Sequence, residues 1–151
     1  MAKFNFRLQQ YLGIKEQIED QKELEYGKAL QKVEEEKAIH RDLCARRDNQ
    51  IEDLREALTR PIDPIEVRRY NNVIDRIKQQ IIMQLEKIAA AEAFAEQKRL
   101  ELVQAMKERK ALDIVKDNQR EEFLLEQNLA EQKQVDELVS FKYTERLQQH
   151  A

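Results

Sequence analysis

Residues Thr59 to Tyr70 read TRPIDPIEVRRY and hold both prolines of the chain, Pro61 and Pro64, in a sequence of helical character on either side. Pro61 lacks a backbone donor and disfavours helical geometry at Arg60, so a helix arriving from the N-terminal side should stop near Thr59. A second helix then starts almost at once. Asp63 is a suitable cap, Pro64 fits the first helical position, and Glu66 can reach back to the cap as in a capping box. The competing reading is one continuous rod kinked at the prolines, but two prolines with a cap between them break a helix more often than they bend it. The prediction is a first helix over about 8–59, a turn at about 60–63 and a second helix over about 64–145, in a single coiled-coil hairpin occupying 1–151.

Composition supports two long arms. With 38% charged residues, two glycines, two prolines and no tryptophan, the chain has too few turn residues for a sheet or a many-element globule, and its Glu, Lys, Gln, Leu and Ala favour long helices. The fold class expected is all-α: a long antiparallel two-helix coiled coil, a helical hairpin. The 27 basic and 30 acidic residues are interspersed and nearly cancel, leaving no footprint for nucleic acid or anionic lipid. The start MAKFNFRLQQ has no apolar run suited to a signal peptide or membrane span, and the single Cys44 excludes an internal disulfide framework. A reduced, cytoplasmic setting follows as an expectation.

Along the chain, Lys3-Phe4-Asn5-Phe6-Arg7-Leu8 alternates apolar and polar residues, which suits a short extended lead. Helical spacing then runs through Leu8, Tyr11, Leu12, Ile14 and Ile18, with Gly13 and Gly27 inside the helix at a cost of about 1 kcal/mol each, so fraying is expected in the first turns. From Tyr26 a heptad seam steps by four and three through Leu30, Val33, Lys37, His40, Cys44, Arg47, Ile51, Leu54 and Leu58. Its polar middle disfavours tight self-association of this arm. Long Lys and Arg stems passing the seam and fixing its register, or partner recognition, both account for those residues.

The second arm opens with a broad apolar face at Val67, Tyr70, Val73, Ile74, Ile77, Ile81, Ile82, Leu85 and Ile88, then turns to small residues from Ala89 to Ala95. Beyond these, Leu100, Leu102, Val103, Met106, Leu112 and Val115 suggest a stutter of about one residue. Folding the arms about Ile62 sets Leu8 opposite roughly Lys116, each arm spanning about 75 Å at 1.5 Å per residue. The second helix should therefore overhang from about 117. That overhang carries Phe123, Leu124, Leu125, Leu129, Val135, Leu138, Val139 and Tyr143, and an amphipathic helix with no internal face to cover frays, self-associates or meets another protein.

For chemistry the sequence is nearly empty. His40 and His150 lie far apart without a second ligand at metal spacing, the carboxylates alternate with Lys and Arg as on solvated helix faces, and no phosphate-cradling glycine loop or nucleophile elbow occurs. The expectation is a protein that is not an enzyme and uses no cofactor or metal.

Three stretches carry a resemblance: KFNFRLQQYLGIKEQIEDQKELEYGKAL at the start, RRYNNVIDRIKQQI after the turn, and EQKQVDEL from Glu131 to Leu138. Together they resemble the FliJ family, the stalk and general chaperone component of the bacterial flagellar type III export apparatus. The resemblance implies an antiparallel two-helix coiled coil similar to the central stalk of rotary F-type ATP synthases. It implies insertion into the ring of the export ATPase FliI, promotion of its assembly, and a link to the membrane export gate protein FlhA, with export chaperones and substrates as further partners. Its implied place is cytoplasmic and peripheral, at the inner-membrane face of the flagellar base.

By position, the resemblance points to Val73, Ile77, Gln80 and Gln84 on the second arm as gate-binding, and to His40, Cys44, Arg47 and Ile51 on the first. For the ATPase end, the candidates are Leu124, Val135, Leu138 and Val139 as apolar contacts, with Lys133, Asp136 and Glu137 setting register. Rival classes are a coiled-coil adaptor or homodimer, a holdase that clasps unfolded export substrates along an arm, and the equivalent stalk of a virulence type III secretion system.

Overall fold

The computed structural model describes residues 2–150. Two helices account for almost all of them: α1, Gln9–Ala57, and α2, Pro64–Gln149. They pack against each other as a helical hairpin. The prolines act as expected at the turn. Before Pro61, α1 tightens to shorter bonds, with Thr59 N–H donating to Glu56 O at 3.1 Å and Arg60 N–H to Ala57 O at 3.4 Å. The Thr59 hydroxyl also donates to the Glu56 carbonyl at 2.6 Å. Asp63 then caps α2 by accepting from Ile65 N–H at 3.0 Å. Only this half of the anticipated capping box forms, since no bond returns from the Glu66 carboxylate to Asp63 among the described residues. No described residue needs a positive φ, so the turn is made without glycine.

The chain divides into two compact units, residues 1–18 with 106–151, and residues 19–105. In the second unit, buried and half-buried positions run along α1 through Tyr26, Ala29, Val33, Glu36, His40, Leu43, Arg47, Gln50, Leu54 and Ala57, with Glu25, Lys37, Cys44 and Ile51 half-buried beside them. The former alternate by three and four, which defines the a column (Tyr26, Val33, His40, Arg47, Leu54) and the d column (Ala29, Glu36, Leu43, Gln50, Ala57). The expected seam has the a column right and the other column one residue too far on. Leu30, Lys37, Cys44, Ile51 and Leu58 are e positions flanking the seam, and Leu30 and Leu58 are exposed. The reason is physical: apart from Leu43 the true d residues are small or polar and carry little hydrophobic signal, while their e neighbours are mostly apolar.

On α2 the same unit keeps an unbroken spacing through Val67, Tyr70, Ile74, Ile77, Ile81, Gln84, Ile88, Ala91, Ala95, Lys98, Leu102 and Ala105. There is no stutter after Ala95. Leu100 is an exposed outer residue, and the seam passes instead through Lys98, Leu102 and Ala105. Two small cores stand on this register. Ala29, Val33 and Ala95 pack with Ala91, where small side chains let the backbones approach. Leu43, Ile77 and Ile81 pack with Cys44 nearer the turn.

In the first unit, Lys116 donates to the Gln9 side chain at 2.7 Å and Lys15 pairs with Glu108 at 2.9 Å, so the pairing of Leu8 with roughly Lys116 matches the packing. The lead Ala2 to Phe6 is not helical; Phe6 is buried, and the Phe4 ring lies 5.6 Å from that of Phe123. Cover on α2 therefore reaches Phe123 and Gln127, and the uninterrupted exposed stretch is 128–150, later than the 117 anticipated. A non-helical lead can reach up to about 3.3 Å per residue against about 1.5 Å for a helix, so the same residues can cover more of α2. The fraying expected from Gly13 is opposed by Leu12, which is 1% exposed.

Candidate functional site

The antiparallel register brings e positions together along one flank of the seam and g positions along the other. Lys37 and Glu92, both e, pair at 3.7 Å. On the opposite flank Glu25 and Glu101, both g, lie against Lys22 and Lys98 of the d columns. Lys22 approaches Glu101 at 3.4 Å, and Lys98 approaches Glu25 at 3.4 Å and Glu101 at 3.2 Å. A hydrogen bond from Gln21, then the Lys98 and Lys22 charges, lower the Glu25 pKa. Hydrogen bonds and charge from Lys98 and Lys22 lower that of Glu101, and the bond to Glu101, then that to Glu25, raises Lys98.

The eight residues anticipated as gate-binding are divided by this geometry. Ile77 is 9% exposed inside the turn-proximal core, and Gln84 is 4% exposed and bonded to Glu36. Both are spent within the hairpin, because they occupy the d column. Val73 and Gln80 are exposed on the g flank. Cys44 and Ile51 are half-buried on the e flank. His40 and Arg47 are half-buried a residues; His40 Nε2 lies 3.7 Å from Cys44 Sγ, and Arg47 bonds Asp48 at 3.2 Å. The four first-arm and four second-arm residues thus do not form one surface.

The seven residues anticipated as ATPase-binding are all exposed on α2: Leu124, Lys133, Val135, Asp136, Glu137, Leu138 and Val139. Continuing the register from Phe123 puts Ala130, Lys133, Glu137, Ser140 and Thr144 on the seam columns, which are mostly polar here. The apolar side chains have moved to the outer columns. Leu124 and Leu138 are b, Val139 is c and Val135 is f, each more than half exposed. This rotation was missed in the sequence reading, though it follows from counting sevens from Phe123. It means that the overhang does not simply extend the hairpin seam.

Among the described residues, no three His, Cys, Asp or Glu side chains group as a metal site, and no helix is long and apolar enough to cross a membrane. No curated protein sequence matches the chain significantly. Among solved structures, a putative YscO homolog, CT670 from Chlamydia trachomatis, is similar with a TM-score of 0.58 at 22% identity, over 97% of this chain and 99% of that one. That likeness bears on the fold. The family model described as Flagellar FliJ protein matches residues 4–148, nearly the whole chain. By that match the chain belongs to the Flagellar FliJ protein family.

Proposed function

We propose that this chain is the stalk of the export apparatus, with its C-terminal overhang docking on the ring of the export ATPase FliI. The observation that carries the reading is the overhang itself: residues 128–150 are exposed throughout, with Val135, Leu138 and Val139 on the columns facing away from the hairpin seam. An apolar face that no internal partner can reach suits a second protein. Lys133, Asp136 and Glu137 flank it and would set the register of that contact.

For the export gate FlhA, Val73 and Gln80 are available on one flank and Cys44 and Ile51 on the other, so a gate contact that uses both straddles the seam. Ile77 and Gln84 support that surface from below and do not touch the partner. The place of action on this reading is the cytoplasmic face of the inner membrane, where ring and gate meet.

The test is one titration of FliI with this chain at low ATPase concentration, following hydrolysis rate and oligomer size. A rise in both, saturating at one chain per ring, is expected. No change in either, with the chain folded, would instead indicate an adaptor, a self-associating tail or a holdase.

A further inference from the structure

The turn places an open cleft of about 450 Å³ beside the start of α2, lined by Gln50, Arg60, Glu66, Arg69, Tyr70 and Val73. Arg60 is there because Pro61 ends α1 at this point, leaving its side chain in the turn. Arg69 and Val73 stand one turn apart on α2, with Tyr70 between them, and Gln50 comes from the d column of α1. Neither Arg60 nor Arg69 has an ion-pair partner among the described residues. Glu66 lines the same cleft three residues before Arg69, yet pairs with neither arginine. Two guanidinium groups against one carboxylate leave the lining with one net positive charge, beside an apolar floor of Tyr70 and Val73.

We propose that this cleft binds a peptide segment of a partner protein carrying one carboxylate next to an apolar side chain. Guanidinium groups offer planar, paired donors that match a carboxylate, and two of them from different elements fix its position better than one. Gln50 supplies a hydrogen bond to the segment backbone, and Tyr70 and Val73 receive the apolar neighbour. Glu66 limits the site to a singly charged group by repelling a second negative charge. Val73 is shared with the gate contact proposed above, whereas Arg60 and Arg69 are not part of it, so peptide binding lost in the double arginine variant is distinguishable from loss of FlhA capture.

The test is an NMR titration of the full chain, reading the Arg Nε–H signals of Arg60 and Arg69 and the amide of Val73. The probe is the peptide acetyl-Leu-Glu-Leu-amide, with acetyl-Leu-Gln-Leu-amide and inorganic phosphate as parallel arms. The Glu peptide should move all three signals and saturate by roughly 10 mM, a range ordinary for a short peptide. Arg60→Gln with Arg69→Gln should weaken this binding by about tenfold or more, and Glu66→Gln should tighten it. Helicity of each variant is checked by circular dichroism, and the exposure of all three residues keeps the fold intact. Equal shifts with the Gln peptide, shifts of the same size with phosphate, or an unchanged Val73 amide titration in the double Arg variant would each overturn the proposal.

Discussion

Gln84 reaches across the seam to donate its amide hydrogen to the backbone carbonyl of Glu36 at 2.9 Å, and the same nitrogen also bonds the Glu36 carboxylate. Lys32, one turn earlier, holds that carboxylate at 2.9 Å. These bonds, Lys32 first, keep the Glu36 pKa below its ordinary value despite burial. A polar layer between the apolar clusters at Val33 and Leu43 is satisfied in one alignment of the helices, so it fixes register.

Removing one side of that layer should cost more than removing both. Gln84→Leu leaves a buried carboxylate without its cross-helix donor and should lower the melting temperature by roughly 2–6 °C. Glu36→Leu with Gln84→Leu should recover most of the loss, since apolar residues fill the layer. Thermal melts of the three proteins followed by circular dichroism check this.

Gly13 and Gly27 lie within α1, and a Cβ built on either meets nothing within 4 Å. Gly27→Ala should therefore stabilise the chain by about 0.5–1 kcal/mol, and Gly13→Ala by a similar amount, through helix propensity and a less free unfolded chain. Urea unfolding with an unchanged slope checks both.

The cluster of Lys22, Glu25, Lys98 and Glu101 predicts a pH dependence with two edges. The carboxylates of Glu25 and Glu101 are lowered, so their contribution is complete above the ordinary value near 4.5 and disappears as pH falls through the lowered folded values. Lys98 is raised, so its contribution is complete below the ordinary 10.5 and disappears as pH rises through the raised value. The groups are exposed enough that salt weakens the effect. Glu25→Gln with Glu101→Gln should melt below the parent at pH 7, and the gap should narrow as pH falls below the ordinary value near 4.5, which parallel melts across that range measure.

The hairpin was legible in the sequence because Pro61, Asp63 and Pro64 act locally, and local rules govern a turn. Half the seam was not. Ala29, Glu36, Gln50 and Ala57 sit in the d column, where size and cross-helix bonding matter more than hydrophobicity, while Leu30, Ile51 and Leu58 drew attention one residue away. The Glu36 to Gln84 bond joins residues 48 apart, and no pattern within α1 announces it. For the same reason Ile77 and Gln84 read as surface candidates when they are interior. The overhang candidates kept their exposure, but their rotation off the seam required the register that packing set.

That division separates two neighbours on α2. Ile77→Asp puts a charge into the Leu43 and Ile81 core and should unfold the turn-proximal half, with a cost of about 3 kcal/mol or more. Val73→Asp, on the exposed flank, should change stability by less than about 0.5 kcal/mol and weaken FlhA capture. Chemical denaturation and a pull-down with the cytoplasmic region of FlhA distinguish the two.

The most direct measurement of the stalk account is the FliI hydrolysis rate with the parent chain and with Val135→Asp, Leu138→Asp in the overhang. The account predicts that the variant keeps the parent's helicity and melting temperature and loses the stimulation, because these side chains face a partner. Full stimulation by a folded variant would contradict it, and a collapse of helicity would show that the overhang is core.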